Sequence, residues 1–166
     1  MGAIMAAEVN GMQKGRYTDM QTFVTAALSS EGRKMGRSIY IDFAPISDAA
    51  ADRIQAETGI DVHGWGHAID GSAVVHILNR HDANGTALAD FPNQDTLTVE
   101  DLNMIPDVVE QPDVIEPTNN SRRIRFKKRI DGHVVLVEET RSRFDKLIPV
   151  TFWKEKAAAS PRTSET

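Results

Sequence analysis

The segment 122–140 constrains the fold of this chain most strongly, because two extended runs flank a two-residue turn signal. The first run is RRIRFKKRI (122–130), the second is HVVLVEET (133–140), and Asp131-Gly132 separates them. An Asp-Gly pair between such runs is a strong signal for a β-hairpin. Residues 146–153 (KLIPVTFW) predict a further strand, in which Pro149 indicates an edge position or a bulge.

Helices are predicted earlier in the chain. Residues 20–28 predict a short helix, and residues 48–58 predict another, with Ser47 as N-cap and Gly59 just beyond its end. Residues 71–81 (GSAVVHILNRH) place apolar side chains at helical spacing, and residues 38–43 (SIYIDF) predict a strand. The predicted class is α+β, with N-terminal helices packed on one face of a C-terminal antiparallel sheet of about four strands.

The remaining segments carry weaker signals. Residues 61–70 are expected to form a loop, and Thr98 with Asp101 resembles a capping box that opens a helix at 99–104. The prolines between 106 and 117 favour extended chain between short turns. Residues 82–96 are polar and too long for a simple connection, which is typical of a functional or disordered loop.

The length and composition predict one domain. A chain of 166 residues with 40% hydrophobic residues is long enough to bury a real core. We expect residues 1–17 to be a flexible lead-in, 18–154 to be a single domain and 155–166 to be a linker-like tail. Since no run is long and apolar enough to cross a bilayer, no membrane partner is expected. The absence of cysteine fits a reducing compartment.

The distribution of charge points to a local basic face. A net charge of −5 argues against non-specific nucleic-acid binding by the whole surface. However, alternation on the strand 122–130 places Arg123, Arg125, Lys127 and Arg129 on one side. These cations are either an ordinary solvated face or a stripe that binds phosphate and neutralises a developing oxyanion.

Two histidines on the helix 71–81 are candidate acid–base catalysts. His76 and Arg80 stand four residues apart and share a helix face, while His81 lies at the C-terminal end. Histidine accepts and donates protons near neutral pH. The alternatives are surface or packing roles, or a metal site. A spacing of five residues, the absence of cysteine and the absence of a recognisable third ligand disfavour zinc, so we expect no metal ligands.

Residues of the later strands complete the candidate set. Glu138 and Glu139 lie opposite the cations, where a glutamate can form a cross-strand ion pair, orient a histidine or act as a base. Thr151 is either a β-branched strand former or a hydroxyl donor to phosphate. Trp65, Phe126 and Trp153 can pack in the protein or stack on a base.

The order of these motifs resembles a known family. The motifs are YIDF, TGIDV, GWGHAID, HILNRH, LTVEDLNMIPDVVEQPDVI, IRFKKRIDG, VVLVEETRSR and LIPVTFW, which together span residues 38–154. They resemble the phage-encoded nuclease domains of the barnase/EndoU/colicin/RelE-like superfamily, which occur in phage head-morphogenesis and polyvalent proteins.

The resemblance implies metal-independent RNA cleavage without a cofactor. It implies His76 as general base or acid, with His81 as a second candidate. Lys127 or Lys128, Arg141 or Arg143, and Thr151 take the basic and hydroxyl positions. With the residue-based candidates, the expected catalytic set is His76, His81, Lys127, Glu138, Arg141 and Thr151, and the expected substrate-binding set is Arg80, Arg125, Lys128, Arg143 and Trp65.

The expected partner is RNA, with tRNA among the candidates. An immunity protein, or fusion to a larger phage protein, is the expected protein context, and the expected location is the cytoplasm or a virion that delivers the domain into a bacterial cytoplasm. One competing hypothesis is a non-enzymatic phage module that uses the same fold for protein contacts. Another is a nucleotide transferase such as an ADP-ribosyl transferase, which is weaker because no glycine-rich phosphate loop is present.

Overall fold

The computed structural model describes residues 19–82, 85, 91 and 93–156. The predicted lead-in 1–17, most of the predicted tail and much of the polar segment 82–96 lie outside the described residues. The described α-helices are α1 (Met20–Leu28), α2 (Ser30–Met35), α3 (Asp48–Thr58), α4 (Gly71–His81) and α5 (Ile105–Glu110), and the 3-10 helices are η1 (Gly36–Ser38) and η2 (Glu100–Met104). The described strands are β1 (Tyr40–Pro45), β2 (Gly66–Asp70), β3 (Gln94–Asp95), β4 (Val114–Pro117), β5 (Arg123–Arg129), β6 (His133–Arg141) and β7 (Lys146–Glu155).

Local signals set the ends of the three longest helices, and their predicted bounds are confirmed. The side chain of Ser47 accepts a hydrogen bond from the backbone N–H of Ala50 at 3.1 Å and so caps α3. Gly59 ends that helix with φ of 80°, a left-handed conformation that glycine adopts without a steric penalty. The side chain of Asp70 caps α4 by accepting from Ala73 N–H at 2.8 Å.

The α+β class is confirmed, but the sheet is larger than predicted and is mixed. The strand order is β1-β2-β7-β6-β5-β4, and β3 pairs with β7. Strands β2 and β7 run parallel, whereas the other pairs are antiparallel. The described part of the chain therefore holds a seven-stranded mixed sheet. The expectation of about four antiparallel strands holds for the C-terminal strands β4, β5, β6 and β7, but it missed the three further strands and the parallel pairing of β2 with β7.

The additional strands come from segments with little strand signal. Strand β2 lies inside the predicted loop 61–70, and four of its five residues are buried, so it shows no alternation of apolar and polar residues. Strand β3 has only two residues and lies in the polar segment. Strand β4 lies in the proline-punctuated segment, which also contains helix α5. Pro106 is in the first turn of α5, where a backbone N–H has no partner within the helix, so the missing N–H of proline costs no hydrogen bond.

The hairpin prediction is confirmed, and its strands divide the sheet into two faces. On the core face, Ile124, Phe126, Leu136 and Phe152 are completely buried and pack in one cluster with residues of the helices, such as Ile77. On the opposite face, which we call the open face, Arg123, Arg125 and Lys127 of β5 alternate with these buried residues and are half-buried. The helices thus cover one face, as predicted, and leave a basic face uncovered.

A β-bulge decides which residues of β7 reach the open face. Val137 pairs with Thr151, whereas the next residue, Glu138, pairs with Pro149, so Val150 is the extra residue. Strict alternation would place Thr151 on the same face as Pro149. The bulge reverses this, so that Pro149 is buried and Thr151 is half-buried on the open face. No helix in the described ranges is long and apolar enough to span a bilayer.

Candidate functional site

An arginine cluster surrounds Glu139 on the open face. Arg123 Nε donates to Glu139 Oε2 at 3.1 Å, Arg122 Nη2 lies 3.8 Å from the same oxygen, and Arg141 Nη1 donates to Oε1. Burial acts to raise the pKa of the Glu139 carboxyl, but the hydrogen bonds from Arg123 and Arg141 outweigh it and hold that pKa below its usual value. Glu139 is therefore ionised at neutral pH and fixes the guanidinium groups in place.

A second carboxylate organises the other cations of the basic strand. Glu116 on β4 accepts from Arg125 Nη1 at 3.1 Å and lies 3.4 Å from Lys127 Nζ. Burial raises the pKa of Glu116 less than the hydrogen bonds and charges of Arg125 and Lys127 lower it. Because both carboxylates hold two or more cations, the open face keeps a net positive charge that is held at defined positions.

His81 lies where α4 ends beside β3 and β7. The ring is 3% exposed and stacks on Trp153 with a centroid separation of 5.9 Å and an interplanar angle of 24°. Its Nδ1 lies 3.0 Å from Gln94 Oε1, and its Nε2 lies 2.9 Å from Thr151 Oγ1. Since the Gln94 oxygen can only accept, Nδ1 carries the proton in this arrangement, and Nε2 accepts from the Thr151 hydroxyl.

Burial gives His81 an altered proton affinity. Desolvation lowers the pKa of the His81 imidazole from 6.5, the bond to Gln94 opposes this, and the positive charges of Arg80 and His76 lower it further. The neutral form with a basic Nε2 is thus the main form at neutral pH. A neutral imidazole whose lone pair is directed at a hydroxyl group has the geometry of a general base.

The strand register brings His81 and the arginine cluster together. Thr151 pairs with Val137, and Glu139 lies two residues further along β6 on the same face. Thr151 and Glu139 therefore project from the same face of neighbouring strands, on either side of the bulge. The proton acceptor on His81 and the cations around Glu139 therefore border one stretch of the open face. Of the expected catalytic residues, this stretch contains His81, Arg141 and Thr151, with Lys127 further along β5.

His76 and Arg80 lie on the same helix as His81 but outside this arrangement. His76 is exposed, and the rise of five helical residues places its Cα about 7.5 Å from that of His81 along the helix axis, toward the N-terminus. A positive charge on the His76 ring acts to lower the pKa of His81, as the smallest of its causes. Arg80 is half-buried and acts on the pKa of His81 in the same direction.

Glu138 is on the core face, away from the basic cluster. It is fully buried, and its Oε1 lies 2.7 Å from Nδ1 of His67, which is 3% exposed. Phe43 stacks on the His67 ring at 5.6 Å, and Phe126 contacts it edge-on at 6.1 Å. Sequence reasoning anticipated that Glu138 can orient a histidine, but it did not identify His67, which stands 71 residues earlier in the chain.

The other expected substrate-binding residues lie apart from one another. Lys128 Nζ donates to the backbone oxygen of Gln111 at 2.7 Å. The guanidinium of Arg143 lies 5.7 Å from the ring centroid of Phe144 in the β6–β7 turn. Trp65 is half-buried and lines a cleft of about 480 Å³ together with Phe144 and Lys146. Sequence reasoning missed the last two residues, since neither belongs to a recognisable motif.

The described residues offer little for metal binding. In the described ranges, no three His, Asp or Glu side chains converge on one point as metal ligands. His63 comes nearest, with Nδ1 2.6 Å from Asp61 and Nε2 2.6 Å from Asp52. The hydrogen bonds to these exposed carboxylates raise the pKa of His63, and its two ring nitrogens point in different directions.

Comparison with known families identifies the chain. The model of the family described as phage-Barnase-EndoU-ColicinE5/D-RelE like nuclease3 matches residues 45–160. This match covers α3 to β7 and thus both His81 and the open face. Comparison with curated proteins and with solved structures gives no significant match. Because the family model covers well over half of the chain, the protein belongs to this phage nuclease family and is a nuclease.

Proposed function

We propose that this nuclease is a metal-independent endoribonuclease that cleaves RNA on the open face and uses His81 for acid–base catalysis. The observation that carries the proposal is the hydrogen bond between Thr151 and His81 Nε2, beside the arginines that Glu139 holds. A proton acceptor and a set of fixed cations are the two elements that phosphodiester transfer requires. The family match supports nuclease chemistry in general.

The proposed reaction forms one P–O bond and breaks another. His81 Nε2 takes the proton of a ribose 2′-hydroxyl, whose oxygen attacks the adjacent phosphorus. The bond from phosphorus to the 5′-oxygen breaks, that oxygen leaves with a proton from a solvent water, and His81 returns the proton it took to solvent. The products are a 2′,3′-cyclic phosphate and a 5′-hydroxyl. The 2′-hydroxyl is held beside the phosphorus by the substrate itself, which is why this reaction does not require a metal to supply a nucleophile.

The polar side chains around His81 have different roles in the proposed reaction. Arg123 and Arg141 bind the non-bridging phosphate oxygens, since guanidinium groups match phosphate in geometry and charge. Thr151 donates a hydrogen bond to a phosphate oxygen once Nε2 has engaged the 2′-hydroxyl. Arg125 and Lys127 extend the cationic surface along the strand and bind neighbouring phosphates. Gln94 keeps His81 in the tautomer whose unprotonated Nε2 is directed at the Thr151 hydroxyl, where the 2′-hydroxyl would bind.

The geometry favours His81 over His76 as the acid–base residue, which reverses the order expected from sequence. His81 has a fixed tautomer and a hydroxyl partner, whereas His76 is exposed. We therefore expect His81→Ala to slow RNA cleavage by at least roughly 10²-fold, which is the usual cost of losing a positioned acid or base. His76→Ala is the matched control on the same helix and should change the rate by less than about 10-fold.

The assay measures fragments of a defined RNA in excess EDTA and identifies their ends. Fragments that carry a cyclic phosphate support the mechanism. Activity that disappears in EDTA and returns with a divalent ion contradicts it, and so does a folded His81→Ala protein that cleaves at the original rate. If the intact protein leaves RNA unchanged, the competing hypothesis of a protein-interaction module of a phage particle becomes the better explanation.

A further inference from the structure

The cleft next to the open face has no part in the proposed catalytic step. It is lined by residues that include Asp42, Trp65, Gly66, Phe144 and Lys146, and its volume is about 480 Å³. This volume lies within the range of roughly 300–1,000 Å³ that small-molecule sites occupy. The cleft thus has room for a planar group the size of a nucleobase.

Two aromatic side chains, Trp65 and Phe144, contribute apolar surface to the cleft lining. Trp65 packs against the core and is half-buried, so part of its indole remains available to the cleft. Phe144 is 65% exposed at the tip of the β6–β7 turn, where Asp145 has φ of 55°. The floor at Gly66 carries no side chain, and a Cβ there would lie 3.4 Å from Lys146 Nζ. A glycine at this position keeps the space beside the rings open.

Charged groups at the rim are continuous with the proposed catalytic surface. Lys146 Nζ lies 2.8 Å from Asp42 Oδ1, and the Asp42 side chain is 52% exposed. Lys146 pairs directly with Arg141 in the strand register, and Arg141 donates to Glu139. Directly paired residues of neighbouring strands have Cβ atoms about 4.5–5.5 Å apart. A chain whose phosphate binds Arg141 can therefore place its next residue at the cleft.

From these observations we infer that the cleft is a base-binding subsite for a nucleotide of single-stranded RNA, an inference that rests on the proposed function. The base stacks on Phe144 and Trp65, and its hydrogen-bonding edge faces the carboxylate of Asp42 and the ammonium of Lys146. Unstacked bases are bound in this way, by aromatic faces together with polar groups that reach their edges. The subsite thus selects unpaired RNA over duplex RNA.

The test measures binding rather than cleavage. The ligand is a short single-stranded oligonucleotide with 2′-O-methyl groups, which cannot be cleaved through the 2′-hydroxyl. Phe144→Ala should weaken its binding by about 5- to 150-fold, the range that corresponds to 1–3 kcal/mol for one stacked base. Phe144→Tyr keeps an aromatic ring and should restore most of the affinity. Phe91→Ala is the matched control, because Phe91 is 46% exposed and does not line the cleft.

A second ligand distinguishes base binding from phosphate binding. An oligonucleotide that lacks one base should bind the original protein more weakly, and Phe144→Ala should then cause little further loss. Equal losses with the intact and the base-deficient ligand would overturn the inference, as would unchanged binding by Phe144→Ala. Binding that depends on Phe144 in a protein that does not cleave RNA would sustain the subsite and reject the proposed function. RNA cleavage by a protein whose oligonucleotide binding does not depend on Phe144 would reject the subsite and leave the proposed function in place.

Discussion

The buried pair of His67 and Glu138 allows a quantitative test of how the core is built. Glu138 is 0% exposed, and His67 Nδ1 is its hydrogen-bond partner at 2.7 Å. The second oxygen of Glu138 has no hydrogen-bond partner among the described residues. His67→Leu removes this hydrogen bond and leaves the Glu138 carboxyl fully buried without that partner.

The expected destabilisation is large because no solvent reaches the orphaned carboxyl. Removing one partner of a buried pair costs about 3–5 kcal/mol. For a domain of this size, each kcal/mol lowers the melting temperature by about 2–4 °C, so the expected decrease is roughly 6–20 °C. Replacing both residues with leucine removes the buried polar groups together. That double variant should be close to the original stability, or more stable by up to about 4 kcal/mol.

The assay is urea and thermal denaturation of the single and double variants at neutral pH, combined with RNA cleavage. A His67→Leu protein that loses less than about 1 kcal/mol, well below the cost of an orphaned buried partner, would refute the reasoning. A double variant as unstable as the worse single variant would refute it too. Cleavage tests the role of Glu138 separately. Because the pair lies on the core face, the double variant should cleave RNA at the original rate. A double variant that is stable but no longer cleaves RNA would instead indicate that Glu138 is catalytic.

Two further predictions concern pH and a helix end. The pKa of His81 lies below 6.5, so the acid limb of the pH profile of kcat/KM should have its midpoint below 6.5, and the His81→Gln profile should lack it. Because the folded-state pKa of His81 is lowered, the stability that neutral His81 contributes is complete above its unfolded-state pKa and is lost as pH falls through its folded-state pKa. A denaturation series in which the free energy of unfolding rose as pH fell across this range would contradict the assignment. Gly59 has φ of 80°, and a Cβ there would meet nothing within 4 Å, so Gly59→Ala should cost about 1–2 kcal/mol through backbone strain alone. Gly59→Asn should cost less in the same urea titration, because asparagine tolerates the left-handed region, and equal losses would point to a different cause.

Much of the candidate site could be anticipated from residue types and strand alternation. The basic face of β5 follows from alternation, and His81 follows from the acid–base chemistry of a histidine on an amphipathic helix. The choice between His81 and His76 did not follow, since both lie on one helix with similar neighbours in sequence. Only the contacts of His81 with Gln94 and Thr151, from β3 and β7, distinguish the two. The face that Thr151 occupies depended on the bulge at Val150.

The sequence by itself determined the elements whose signals are local. Helices α1, α3 and α4 and the hairpin of β5 and β6 follow from caps, apolar periodicity and the Asp131-Gly132 turn, all of which act over a few residues. The tertiary structure alone decided the parallel pairing of β2 with β7, the burial of His67 against Glu138 and the cleft between Trp65 and Phe144. These contacts join segments about 70 to 80 residues apart. Local sequence does not specify these contacts, because several segments have similar strand propensity. Which segments pair depends on the burial of their side chains in the common core.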